Sequence, residues 1–139
     1  MHVLLSINPK HVWNILAGTK KFEFRRKVHK RRDVTKVSIY CTAPIKKLVG
    51  EFDITSILCK APEDLWIITA SEAGITKEFF DSYFQGRSEA YALQIGAVVE
   101  YDNFIDPHSL YSDFTPPQSF MYVPEDFRKG ERQKQLDFA

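Results

Sequence analysis

The sequence predicts a mainly β domain of the α+β class, a small mixed barrel of about five or six strands with about three short helices packed at its ends. Three observations predict it. Short stretches of period-two alternation recur along the chain at uneven spacing. The helical stretches between them are too few and too irregular for a parallel βαβ repeat. A chain of 139 residues with 44% hydrophobic content suits one core, and no internal repeat or low-complexity tract divides it.

The elements follow in order. Residues 3–7 are an apolar run that reads as a first strand. Asn8 can cap a helix and Pro9 suits its first turn. Val12, Trp13, Ile15 and Leu16 then give an apolar stripe at helical spacing, and Gly18 offers a left-handed stop, so a helix is expected over 9–17. Residues 21–26 alternate. On a strand, Phe22 and Phe24 face the core while Lys21, Glu23 and Arg25 share the other face. Residues 27–33 form a basic loop. Strands are expected over 34–42 and 48–58, with Gly50 as a possible bulge. Pro62, Glu63 and Asp64 begin a helix that continues toward Gly74. Thr76 opens another, with Phe79, Phe80, Tyr83 and Phe84 along one broad face and Gly86 at its end. A long strand over 90–101 bends at Gly96, residues 103–118 turn loop-like, and 119–123 form a last edge strand. The domain is thus expected to span 1–123, with 124–139 a polar C-terminal tail.

Several function classes find no support. No stretch approaches the ~18 consecutive apolar residues of a membrane span, and the N-terminal apolar run is too short for a signal sequence. Cys41 and Cys59 alone make neither a disulfide framework nor a CxxC site, so a cytoplasmic location is expected. The six glycines form no GxGxxG or P-loop pattern. Histidines 2, 11, 29 and 108 are scattered without metal-ligand spacing, so each is expected to be a surface or satisfied residue. Neither a metal nor a cofactor is expected.

Charge is distributed unevenly. Nine basic residues between Lys20 and Lys36 face only Glu23 and Asp33, leaving +7, while the remaining ten basic and sixteen acidic residues carry −6. Such a dipole suits a local anionic partner. Within this segment Gly18, Lys20, Glu23 and Arg25 stand out. A helix-ending glycine delivers a lysine, a carboxylate and a guanidinium to the start of a strand. The carboxylate can orient either cation by charge-assisted hydrogen bonds, and arginine offers a planar fork where lysine offers a point charge. An ordinary helix-to-strand turn with surface ion pairs has the same spacing. As a ligand-contacting residue Lys20 is expected to be exposed and to contribute only ~0–1 kcal/mol to stability.

The spacing G-x-K-x-x-E-x-R resembles the signature of the ASCH domain, a PUA-like β-barrel family. The likeness extends over about residues 3–123. It includes Leu5-Ser6-Ile7-Asn8-Pro9, Ile39-Tyr40-Cys41-Thr42-Ala43-Pro44, Glu63-Asp64-Leu65-Trp66, Gly74-Ile75-Thr76 and Pro116-Pro117-Gln118-Ser119-Phe120, as in short prokaryotic and phage-type members. The resemblance implies a cleft beside the barrel that binds RNA or a nucleotide, lined by Lys20, Glu23 and Arg25. Some members of the family are amidohydrolases of acetylated cytidine, others are described as ribonucleases, and many are predicted only to bind RNA.

The leading expectation is an RNA-binding module for single-stranded or locally unpaired RNA, or a nucleoside or nucleotide. Lys20, Lys21, Arg25, Arg26, Arg31 and Arg32 are expected at phosphates, and Tyr40 or Phe120 under a base. Thr42, Gln118 and Ser119 are candidates for polar contacts. The alternative is a hydrolase with Lys20 and Glu23 as its catalytic residues, cleaving RNA or an acylated nucleoside. Glu23 stands where the amidohydrolases carry a threonine. Thr19 and Glu72 are only approximate substitutes for the hydroxyl and the downstream carboxylate of that chemistry.

Overall fold

In the computed structural model, which describes residues 1–130, the elements run in the order β1 (His2–Ile7), α1 (Pro9–Leu16), β2 (Phe22–Arg25), β3 (Lys36–Cys41), β4 (Lys47–Lys60), α2 (Pro62–Thr69), α3 (Lys77–Tyr83), β5 (Ala90–Ile105), α4 (Pro107–Leu110) and β6 (Phe120–Val123). The six strands form one mixed sheet in the order β2-β5-β4-β3-β1-β6. β1 lies parallel to β3, and the other pairings are antiparallel. β2 and β6 occupy the two ends of the ladder, so the sheet is not closed by strand pairing.

Local chemistry explains the boundaries. The Asn8 side chain accepts from the Lys10 amide at 3.0 Å, and Pro9 occupies the first turn of α1. Thr76 caps α3 through the Phe79 amide at 3.1 Å. Gly18, with φ of +81°, ends the α1 turn in the left-handed region open to glycine. β4 and β5 are long enough to curl, and three register shifts interrupt their pairing. The helix expected to reach Gly74 ends at Thr69 and tightens into a 3-10 turn at Ala70–Glu72. The last part of β5 and α4 occupy ground expected to be loop.

Three groups of buried side chains hold the fold. One joins β1, β3, β4 and α1 through Val3, Leu5, Val12, Ile15, Ile39 and Phe52. A second packs β2 and β5 against α2 and α3, with Phe22, Phe24, Leu65, Phe80 and Phe84 at its centre. The third contains Leu4, Tyr40, Tyr101, Phe114 and Phe127. Phe127 stacks on Tyr111 at 4.7 Å between centroids, so the packed domain extends past residue 123 into the segment expected to be tail. The rest of that expected tail, 131–139, lies outside the described residues. No helix among the described residues is long and apolar enough to cross a membrane.

Phe24 meets Phe80 edge-on at 5.2 Å and Phe84 at 6.3 Å. Phe24→Ala should therefore lower unfolding free energy by about 3–5 kcal/mol. A urea-unfolding midpoint equal to that of the wild type would show that this ring does not anchor β2 to α3.

Candidate functional site

β2 presents its two faces as the alternation requires. Phe22 and Phe24 enter the second core, while Glu23 and Arg25 turn to the opposite side. That side faces β1, beyond which lies the far end of the sheet. Between them is a cavity of about 100 Å³, bordered by Ser6, Ile7 and Asn8 from the first strand and its exit, His11 from α1, Lys20, Glu23 and Arg25, and Phe79 and Tyr83 from α3. The site occupies the seam that the open sheet leaves.

Lys20 is only 2% exposed, in contrast to the surface position expected for it. Its ammonium donates to the Ala73 carbonyl at 2.8 Å and lies 4.8 Å from the Phe24 ring centre. Gly74 makes this burial possible. A Cβ there would lie 2.5 Å from the Lys20 Cβ, and the backbone has φ of +69°. Burial lowers the Lys20 pKa below the usual lysine range, opposed by the Glu23 charge. Glu23 is 5% exposed, and burial raises its pKa above the usual carboxylate range against the pull of Lys20 and Arg25.

Arg25 reaches across the seam, donating to the Ser119 carbonyl at 2.6 Å and toward the Ser6 carbonyl at 3.5 Å. Glu23 Oε2 is buried without a hydrogen-bond partner, and so is His11 Nδ1. These are two of the three such side-chain atoms among the described residues, and both residues line this cavity. Burial, with Lys20 and Lys10 nearby, lowers the His11 pKa and favours the neutral ring.

Two wider spaces adjoin the cavity. On one side a hollow of about 640 Å³ is walled by Lys10, His11, Ile75, Thr76, Phe79 and Tyr83. On the other a groove of about 260 Å³ is lined by Arg25, Arg26, Lys27, Arg87, Gln118 and Ser119. Tyr83 borders all three spaces. Arg26 lies over the Tyr83 ring at 4.2 Å and donates to its backbone carbonyl.

The structure brings Lys20, Glu23, Arg25, Arg26, Gln118 and Ser119 to this cleft, but it places other expected residues elsewhere. Tyr40 is buried against Phe114 in the third core and cannot stack a base. Phe120 is half-buried beside His29 and Tyr122. Thr42 follows β3, its amide donating to Ile7, and is not among the residues lining the cavity. Lys21 is half-buried, its amide donating to the Glu72 carbonyl. Arg31 is paired with Asp33 at 2.7 Å and lies over Tyr122, while Arg32 is exposed in the same loop. The Thr19 hydroxyl donates to the Asn14 carbonyl, and neither Thr19 nor Glu72 borders the cavity.

Sequence reasoning missed His11, Phe79 and Tyr83. The available signal lay in α3, where Phe79 and Tyr83 form one i,i+4 pair and Phe80 and Phe84 another. Only the second pair is buried. Among the described residues no three His, Cys, Asp or Glu side chains group as a metal site.

Known proteins share this architecture. No family model matches the chain. An ASCH domain-containing ribonuclease of Zymomonas mobilis is 27% identical over 133 residues, covering 94% of this chain and 87% of that protein. The crystal structure of ASCH from the same organism superposes with a TM-score of 0.84 at 23% identity, over 98% of this chain and 94% of that one. A large ribosomal subunit protein uL22 of Ureaplasma parvum is 30% identical over 121 residues, which cover 87% of this chain. The match spans only 39% of the length of that ribosomal protein. The open mixed sheet matches the PUA-like fold. Within that class the chain is similar over nearly its whole length to the ASCH domain-containing ribonuclease of Zymomonas mobilis, a likeness that supports an ASCH domain protein.

Two outcomes test the geometry. Arg25→Lys keeps the charge but loses the planar fork, so unfolding free energy should fall by about 1.5–3 kcal/mol, the range for a charged hydrogen bond. An unchanged thermal midpoint would deny Arg25 its bridging role. Glu23 provides the second. Because its folded pKa is raised, the folded state holds its proton more tightly, and stability from this group declines as pH rises from the usual value of 4.5 through the raised one. Glu23→Gln should therefore gain stability relative to wild type over that interval. Parallel denaturation profiles between about pH 4 and about pH 8 would place the titration elsewhere.

Proposed function

We propose that this protein binds single-stranded or locally unpaired RNA in the seam cleft, as a cytoplasmic module with two free thiols. One observation carries the proposal. A cavity holding a buried lysine, glutamate and arginine runs on one side into an aromatic hollow and on the other into a cationic groove. Aromatic walls suit bases, which all have a π-face, and the Arg26–Lys27–Arg87 groove suits the backbone. The ribonuclease named among its relatives supports an RNA substrate class.

Cleavage of the bound strand is a second reading, favoured by two titratable groups displaced from their usual ranges in one cavity. In that reaction the Lys20 amine takes the proton of a ribose 2′-hydroxyl as its oxygen attacks phosphorus. The bond to the 5′-oxygen breaks, that oxygen takes a proton from water, and Arg25 faces the charge on the phosphorane. Gel analysis of a labelled RNA after incubation tests this step. Shortened fragments with wild type and none with Lys20→Met support it, and equal cleavage by both excludes Lys20.

Binding should weaken with salt at a log–log slope of about −0.7 per phosphate neutralised. Lys27→Ala and Arg87→Ala should each reduce the magnitude of that slope by about 0.7. Arg31→Ala should change it less, because Asp33 already neutralises Arg31. Fluorescence anisotropy on a labelled oligonucleotide reads both quantities, and affinity indifferent to salt would exclude the groove as the backbone track.

A further inference from the structure

We propose that the small cavity in the seam takes the hydrogen-bonding edge of an unpaired, amino-bearing base, with Glu23 as its acceptor, while the phosphates stay outside in the cationic groove. This deepens the RNA-binding reading and rests on it, and it makes no use of strand cleavage, which would bring a phosphate rather than a base to Lys20.

The argument begins with what each charged group already touches. The Lys20 ammonium is bonded to Ala73 and the Arg25 guanidinium to Ser119, both through backbone carbonyls. Neither donates to Glu23 Oε2, which is left buried without a partner. A buried acceptor without a donor costs about 1–3 kcal/mol, more when charged, so a ligand that supplies an N–H recovers that cost. Phosphate cannot do so, because its oxygens are acceptors and its charge repels a carboxylate. A base can. Adenine and cytosine each present an exocyclic amino group, and carboxylates accept from such groups. Uracil presents a single N–H between two carbonyl oxygens, which would face the carboxylate.

The surroundings agree with a base entering edge-first. His11 Nδ1 is the second unpartnered polar atom of the cavity and supplies a neighbouring contact. His11 meets Phe79 edge-on at 5.2 Å, and the Phe79 and Tyr83 rings are nearly parallel, with an interplanar angle of 8°. Phe79 is 47% exposed and borders both the cavity and the wider hollow, so its ring is open to a base entering there. Arg25 borders both the cavity and the groove, so the phosphate flanking an inserted base meets the Arg25–Arg26–Lys27 side.

The decisive comparison uses wild-type protein and equal-length single-stranded oligomers of adenine, cytosine, uracil and an abasic ribose-phosphate chain, measured by competition anisotropy. Adenine or cytosine oligomers should bind at least about tenfold more tightly than the abasic chain, the scale of losing a stacked base. Uracil should fall between. Glu23→Met and the shape-conserving Glu23→Gln should bring the amino-bearing and uracil oligomers together while leaving the salt slope unchanged. Abasic and base-containing oligomers binding equally would overturn the base-inward placement and leave RNA binding intact. Failure of every oligomer to bind would overturn both. A preference for uracil would exclude Glu23 as an acceptor for amino groups.

Discussion

The site depends on one bond that crosses an open seam. Strand pairing leaves β2 and β6 at opposite ends of the sheet, and no ladder joins them. Arg25 spans the gap. Its guanidinium starts from β2 and reaches the Ser119 carbonyl just before β6, with a longer approach to Ser6 on β1. The Ser6 hydroxyl adds a bond to the Pro117 carbonyl at 2.7 Å, tying β1 to the same closing segment. A sheet zipped shut here would have filled the seam with backbone hydrogen bonds and left no room for a ligand. A side-chain clasp holds the two edges together while leaving a cavity between them. Arg25 is therefore both a wall of the cavity and the reason that the cavity has a defined width.

The burial of Lys20 and Glu23 is a second constraint on the same seam. Removing two charges from water costs several kcal/mol per ion unless geometry and hydrogen bonds compensate. Compensation here is partial. Lys20 has a carbonyl and an aromatic face, whereas one oxygen of Glu23 has nothing. Gly74 gives up a side chain so that its backbone can lie against the Lys20 stem. A fold selected for stability alone would place apolar groups of similar volume here. Retaining the pair makes sense for a site that completes its hydrogen bonds only when occupied.

How much of this could be read from residues varies with the physical rule that governs each one. The period-two pattern of Phe22 and Phe24 placed β2 and its buried face correctly, because one side of a strand next to a core admits no other assignment. Asn8-Pro9 and Thr76 marked helix starts for the same local reason. Tyr40 misleads, because it alternates with Val37, Ile39 and Cys41 as if it faced outward, yet β3 is buried on both faces and the ring falls into the third core rather than the cleft. Phe79 and Tyr83 look like core residues until the helix is packed. Then α3 can bury only one of its two aromatic stripes, and the other is left to wall the hollow. His11 carries no signal of its own. Its importance comes from Lys20, Glu23 and Phe79 arriving around it from distant parts of the chain. Phe127 sits in a polar stretch with no apolar periodicity, and its ring finds Tyr111 only after folding.

Charge counted along the chain overstates the field that a partner meets. Of the nine cations between Lys20 and Lys36, Lys20 is buried, Arg25 is bonded across the seam and Arg26 lies on Tyr83. Arg31 is bridged to Asp33, and Lys36 sits between Glu51 and Asp53 at 3.6 and 3.5 Å. The exposed loop cations that face solvent most directly are Lys27, Lys30 and Arg32, joined from the other side of the groove by Arg87. At physiological salt their influence fades over a Debye length of about 8 Å, enough to draw a strand to the groove but not to choose among strands. Choice must come from groups that meet the ligand out of water, where a missing partner is costly. In this molecule those groups are at the seam. On the proposed RNA-binding reading, the basic loop and the buried Lys20–Glu23 pair are separate devices, one setting how fast and how salt-dependently a strand arrives, the other setting which nucleotide is held.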